Sequence, residues 1–153
     1  MILEQHPDAE ITVIDATINT VLQGIYVLEA QKMKEAGVPY EQVVEELETI
    51  KSTGRIFFTV GNLEYLQHGG RIGKVASVAG SVLGIRPLIT LKEGEIFASG
   101  IARGRNRSLD KVRELLLQYL EEVNAAKDCS DYSLAVGFGY DAAEAEEFQA
   151  AAV

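Results

Sequence analysis

The stretch richest in usable chemistry is Gly69-Gly70-Arg71-Ile72-Gly73-Lys74. Glycines let a backbone approach an anion closely, and N–H groups ahead of a helix favour negative charge. Arg71 adds a planar fork that can clamp a carboxylate or phosphate. The spacing is not that of a Walker motif, because Val75 stands where a Ser or Thr is required. Glycines also cluster in ordinary turns, so an anion site and a plain loop at the N-terminus of the next helix both remain open. His68 adjoins the loop; it can serve as a proton carrier or simply as a hydrogen-bonded surface residue.

A second basic cluster comprises Arg103, Arg105, Arg107, Lys111 and Arg113. No aromatic residues interleave with it, which argues against stacking on single-stranded nucleic acid. It fits either a docking surface for an acidic or phosphate-bearing partner or a solvated face. Asp15 closes an apolar run where α/β proteins place ligands, or else it hydrogen-bonds the next turn. Cys129 lies in Asp128-Cys129-Ser130-Asp131, where carboxylates disfavour a thiolate. His6 and His68 lack carboxylate neighbours at ligand spacing, so no metal or cofactor is expected. No nucleophile elbow and no acid–base pair is legible, so no catalytic residue is assigned.

Elements that could position these groups follow from periodicity. The β-branched run Glu10–Asp15 predicts a strand. A helix follows, capped by Asn19 or Thr20, with Val21, Leu22, Ile25, Leu28 and Met33 on one face and Gly37-Val38-Pro39 as its stop. Val43, Val44, Leu47 and Ile50 predict a second amphipathic helix, and Arg55–Val60 a central strand. That order implies a right-handed crossover between parallel strands. A short helix is expected at Leu63–Leu66, and a small-residue helix from Val75 to Leu83. Pro87–Leu91 and Glu95–Ala102 predict a hairpin turning at Lys92-Glu93-Gly94. Ser108 is read as the cap of a long helix carried by Leu109, Val112, Leu115, Leu116, Tyr119 and Val123. Tyr132–Phe138 predicts a final strand, and Asp141 with Glu144 has capping-box spacing for a last helix, Ala142–Ala152.

The chain has 153 residues, 47% of them hydrophobic and 24% charged. That is one domain's worth of globular sequence. One cysteine excludes an internal disulfide. No apolar run approaches the roughly 18 residues of a membrane span, and the N-terminus lacks a signal pattern, so a cytoplasmic protein without integral membrane association is expected. The net charge of −9 disfavours wholesale nucleic-acid binding. It is unevenly spread. Residues 1–67 carry 4 basic and 11 acidic side chains, residues 68–113 carry 9 and 3, and residues 114–153 carry 1 and 9. An acidic protein thus has a basic middle, which holds both clusters.

Taken in order, Phe57-Phe58-Thr59-Val60, Leu63-Glu64-Tyr65-Leu66, Gly69-Gly70-Arg71-Ile72-Gly73-Lys74, Ile85-Arg86-Pro87-Leu88 and Gly94-Glu95-Ile96 resemble the DegV family. Val13-Ile14-Asp15 with Gly24, and Arg103-Gly104-Arg105, extend the resemblance over nearly the whole chain. It implies an α/β fold, a mixed sheet covered by helices, with residues 1–153 as a DegV-like C-terminal domain and residues 1–9 as a linker or remnant of a preceding domain. Members of the family resemble two-domain proteins of roughly twice this length. They bind a long-chain fatty acid between domains and present its carboxylate to a separate ATP-binding kinase, which forms the acyl phosphate. The upstream Thr- and Ser-bearing segments and the late His-x-Gly-Pro-Gly segment of the family are not in this sequence.

By the resemblance, Arg71 is a head-group-side residue with Gly69, Gly70 and Ile72 shaping its loop, and Arg103 and Arg105 belong to a kinase-docking face. Two departures stand near Asp15: Ala16 replaces a usual Ser, and Leu22 replaces a common first Gly. The resemblance therefore implies a non-enzymatic lipid-binding carrier subunit. The alternatives are a phosphate-handling hydrolase or transferase using the Gly69–Lys74 loop with His68, or a non-catalytic dimerisation domain.

Overall fold

The computed structural model describes residues 2–61, 63–75, 84–123, 125 and 128–152. Helix α1 (Ile2–Gln5) is a single turn. Helices α2 (Thr20–Glu35) and α3 (Tyr40–Ile50) form an antiparallel pair joined through Gly37 and Pro39, as the stop signals predict. Tyr26, Leu47 and Ala16 are buried between them, with Ile14, Met33, Val43 and Ile50 packed around. The Tyr26 hydroxyl donates to the Leu47 carbonyl at 2.9 Å, so its polar end is satisfied inside this core.

Strands β1 (Ile56–Thr59), β2 (Ile85–Lys92) and β3 (Glu95–Arg103) form a sheet in the order β1-β2-β3, both pairings antiparallel. The β2–β3 turn places Glu93 and Gly94 at φ 51° and 80°. That is a two-residue turn with positive φ at both central positions, whose twist matches the strands. Register shifts between Leu88 and Ile89, where Leu88 faces Gly100 but Ile89 faces Ala98, leaving Ser99 as an extra residue. Its hydroxyl lies 2.6 Å from that of Thr90.

Antiparallel partners share a face of the pleat. One face carries Phe57, Leu88, Thr90, Lys92, Phe97 and Ala102. Helix α5 (Arg105–Glu122) packs on it through Val112 and Leu115, and helix α6 (Ala142–Ala152) adds Phe148. The other face carries Ile56, Phe58, Ile85, Pro87, Ile89, Leu91, Ile96, Ala98 and Ile101, apolar until Arg103, which pairs with Ile85 at its end. Ile89 and Pro87 are fully buried and Leu91 nearly so, whereas Ile101 at the outer edge is half exposed.

The helices and hairpin stand where periodicity put them, and helices pack on a sheet as an α/β reading requires. The parallel component does not appear: no pairing of Glu10–Asp15 or Tyr132–Phe138 is present among the described residues. Both segments lie against α2 and α3 instead. Tyr40 donates to Thr12 at 2.7 Å, the Ser133 hydroxyl sits 3.2 Å from Glu29, and Gly137 abuts Val21. A β-branched run specifies an extended backbone, but a ladder needs a partner edge, and no described strand offers one here. Ser108 also corrects its expectation. Helix α5 starts three residues earlier, with Gly104 at the cap position, and Ser108 lies fully buried in its first turn, donating to the Arg105 carbonyl at 2.6 Å. The small-residue helix expected at 75–83 falls almost wholly outside the described residues; Val75 itself ends a 3-10 turn, Ile72–Val75, and is fully buried.

Replacing Ile89 by Ala removes a fully buried side chain from the middle of the central strand. It is expected to lower stability by about 2–5 kcal/mol, read as a reduced urea midpoint at unchanged slope. A loss below about 0.5 kcal/mol would mean that this face is not part of the folded core.

Candidate functional site: the Gly-Gly-Arg turn and the start of α5

Helix α4 (Glu64–His68) leads into the Gly-Gly-Arg segment, and the segment closes it. The Gly70 N–H donates to the Gln67 carbonyl at 3.0 Å, and the Arg71 N–H donates to the Leu66 carbonyl at 2.8 Å. Gly70 adopts φ 70°. This pair of bonds with a left-handed residue between is the Schellman helix stop, which glycine adopts without the Cβ penalty. The Gly69 N–H is likewise taken, by the Tyr65 carbonyl at 3.0 Å. The backbone donors of Gly69, Gly70 and Arg71 therefore satisfy helix carbonyls and do not line an anion cradle. Anion chemistry in this turn falls to the Arg71 guanidinium.

Arg71 is exposed, and its Nη1 donates back to the Gly69 carbonyl. Ile72 is half-buried and begins the 3-10 turn, which packs against β3. Lys74 pairs with Glu95 at 2.8 Å, tying the end of the segment to the hairpin start of β3. His68 is the exposed last residue of α4. Asp15 accepts from the Thr17 N–H at 3.0 Å, so it organises the turn before α2. Cys129 is an exposed free thiol. Among the described residues, no group of three His, Cys, Asp or Glu side chains could hold a metal ion.

Arg103 ends β3 exposed, and Arg105 opens α5 half-buried. Arg105 Nε donates to both carboxylate oxygens of Glu144, at 2.8 and 3.0 Å, and Nη2 also donates to Oε2. Glu144 lies in the first turn of α6, and its own N–H donates to Asp141 at 3.0 Å. Half of the expected capping box is thus formed; the Glu144 side chain turns to Arg105 rather than back to the cap. The bond to Arg105 holds the Glu144 carboxyl below the usual carboxylate range, and the carboxylate raises the Arg105 guanidinium in turn. Sequence spacing alone did not pair these residues, which are 39 positions apart.

A groove of about 350 Å³ opens between the C-terminal half of α5 and the sheet, lined by Arg55, Phe57, Lys92, Phe97, Leu115 and Tyr119 among others. Arg55 stacks on Tyr119 at 5.3 Å and Lys92 on Phe97 at 5.1 Å. The residues lining it do not include the Gly69–Lys74 segment. Periodicity supplied no signal for it, because it forms between elements distant in the chain.

These features define an α/β protein whose small sheet turns one largely apolar face, ending at Arg103, away from its covering helix and carries two exposed cationic turns. The chain belongs to the DegV family: the model described as "Uncharacterised protein, DegV family" matches residues 1–152. A DegV domain-containing protein of Clostridium perfringens is 37% identical over 122 residues, covering 80% of this chain and 43% of that protein. The crystal structure of a stearic acid-binding protein from Eubacterium ventriosum superposes with a TM-score of 0.88 at 41% identity, covering 99% of this chain and 50% of that one. The fatty acid kinase B3 protein of Streptococcus pneumoniae, loaded with linoleic acid, superposes at 0.67 with 25% identity, covering 76% and 42%. The chain thus spans half or less of the length of these relatives. No described helix is long and apolar enough to cross a membrane.

Two outcomes follow from the turn and the ion pair. Gly70→Ala is expected to cost about 1–2 kcal/mol, since an L side chain is strained at that φ. Gly73→Ala, with open space around it, should be nearly neutral; equal losses in thermal melts would contradict the helix-stop role. Glu144→Gln should lower the melting temperature by about 2–4 °C at neutral pH, as a bidentate but partly exposed pair contributes about 1 kcal/mol. Because the folded Glu144 carboxyl is depressed, its contribution is full above the unfolded value of about 4.3 and is lost as pH falls through the lower, folded value. The gap between variant and parent should therefore close in acid; a gap that persists at pH 2 would contradict the ion pair.

Proposed function

We propose that the chain is part of a protein that binds a long-chain fatty acid and presents its carboxylate to a separate ATP-binding kinase, which forms the acyl phosphate. The observation that carries this reading is the apolar sheet face opposite α5, where Pro87, Ile89 and Leu91 are already covered within the chain but Ile56, Phe58, Ile96, Ala98 and Ile101 remain partly exposed. An acyl chain needs an apolar wall with few polar groups, and a cation at its mouth. The pleat supplies the wall, and the turn packed along β3 supplies Arg71. Support comes also from the ligands of the relatives, stearic acid and linoleic acid, and from the kinase system to which the Streptococcus pneumoniae protein belongs.

In this reading residues 1–153 form one DegV-like domain, residues 1–9 lead into it, and the other wall of the slot comes from outside the domain. Arg71 meets the carboxylate, with Gly69, Gly70 and Ile72 holding its backbone. The chain is a carrier and contributes no catalytic residue, the phosphoryl chemistry residing in the partner. Arg103, exposed at the end of β3, belongs to the surface that meets that partner.

Mass spectrometry of the denatured full-length protein is expected to release a long-chain fatty acid. Recovery of protein free of any acyl chain, and unable to take up added stearate, would overturn the lipid reading. Arg71→Glu is expected to abolish retention of the carboxylate at an unchanged melting temperature, because among the described residues the side chain bonds to its own turn. Unchanged lipid affinity in that variant would refute the role of Arg71.

A further inference from the structure

The groove between the C-terminal half of α5 and the sheet has a volume of about 350 Å³. That lies at the small end of ligand pockets, which span about 300–1,000 Å³. Its sheet residues include Phe57, Thr90 and Phe97, which the register aligns on the helix-covered face. The sheet itself therefore separates this groove from the apolar face opposite α5.

Two cations face each other across β1 and β2. Ile56 pairs with Leu91, so Arg55 and Lys92 stand opposite one another one step further, and both line the groove. Like charges directly across a ladder repel. Among the described residues neither side chain makes an ion pair that would offset this. Each leans on a ring instead, Arg55 on Tyr119 and Lys92 on Phe97. A ring face attracts a cation without cancelling its charge.

The guanidinium is held in place. Arg55 Nη1 donates to the carbonyls of Ser52 and Gly54, both at 2.8 Å, which leaves Nε and Nη2 without a partner among the described residues. Those two donors form the flat edge that grips a carboxylate in bidentate fashion. Tyr119 is pinned in turn, its hydroxyl donating to the Thr53 carbonyl at 2.6 Å and its ring lying 6.0 Å from that of Phe57. The hydroxyls of Thr90 and Ser99 and the amide of Gln118 add neutral hydrogen-bonding groups. Glu122 is the one carboxylate among the lining residues. It ends α5, where the helix terminus adds partial negative charge. Two cations against one acid leave the groove with a single surplus positive charge.

We propose that this groove is a second binding site, separate from the acyl face, for a small organic monocarboxylate with a flat apolar body. The free edge of Arg55 and the ammonium of Lys92 take the carboxylate, and Phe57, Phe97 and Leu115 meet the body. Glu122 and the end of α5 disfavour a second negative charge on the ligand.

The test titrates the full-length, nitrogen-15-labelled protein with sodium benzoate at constant ionic strength, read by amide chemical shifts. Benzamide serves as the uncharged analogue and phenyl phosphate as the phosphate analogue. Benzoate is expected to shift the amides of Lys92, Ser99 and Gln118 saturably in the millimolar range, with benzamide at least about tenfold weaker and phenyl phosphate weaker than benzoate. Lys92→Gln should weaken benzoate about tenfold at unchanged acyl content, and Arg55→Lys, which keeps the charge but loses the fork, should weaken it as well. Lys92→Gln removes no hydrogen bond among the described residues, so it remains a fair test if Arg55→Lys fails to fold. Equal binding of benzamide, or benzoate affinity untouched by Lys92→Gln, would overturn the anion site. Tighter binding of phenyl phosphate would overturn the carboxylate class in favour of phosphate. Shifts confined to the Gly69–Lys74 amides, or no saturable shift at all, would overturn the groove as a site.

Discussion

Leu88 and Ile89 are neighbours on the central strand, the pleat sends them to opposite faces, and both are withdrawn from water. A strand buried on both faces must be covered on both, and the rest of the fold follows from that requirement. On one face α5 supplies Val112 and Leu115 and α6 supplies Phe148. The other face is apolar from Ile56 to Ile101, and the 3-10 turn ending at the buried Val75 runs along its outer strand. The bulge at Ser99 reconciles the two sides. It shifts the register so that Ala102 and Leu88 share the helix-covered face while Ala98 and Ile89 share the other.

The same economy operates in the Gly-Gly-Arg turn. Its glycines stop a short helix, and their N–H groups are consumed in doing so. What the turn gives up as a backbone anion cradle it gains in placing Arg71, whose guanidinium stands exposed beside a rigid stop. A fatty-acid carboxylate needs only one such cation at the mouth of an apolar slot, whereas a nucleotide phosphate would call on the backbone donors that are spent here. Under the proposed function, the turn therefore suits a single carboxylate better than a polyphosphate.

Charge is distributed with similar division. The chain is acidic overall, yet its middle is basic. Within that basic segment Lys74 is tied to Glu95, Lys111 to Glu114 and Arg105 to Glu144. These pairs join strand to turn, helix turn to helix turn, and α5 to α6. Arg71, Arg103, Arg107 and Arg113 remain facing solvent. Formal charge thus overstates the cations available to a partner, and the observed hydrogen bonds say which remain.

Much of the fold was legible because its signals are local. The glycine and proline after α2, the turn at Glu93-Gly94 and the cap at Asp141 each act within a few residues, and each element stands where they imply. The Gly69–Lys74 turn and its arginine were likewise visible as a candidate anion site. Glu10–Asp15 and Tyr132–Phe138 were misread as sheet members because an extended conformation is a local property and pairing is not. The Ser108 cap was misplaced because serine in a first turn can as well donate to a carbonyl below it. The Arg105–Glu144 pair, the α5 groove and the identity of the two sheet faces join residues dozens of positions apart, and no short-range pattern encodes them. The sequence by itself determined the helices α2, α3, α5 and α6, the hairpin and the presence of surplus cations. Only the tertiary structure decided which strands pair, which face stays apolar and which arginine stays free, because those depend on what packs against each side chain once distant segments meet.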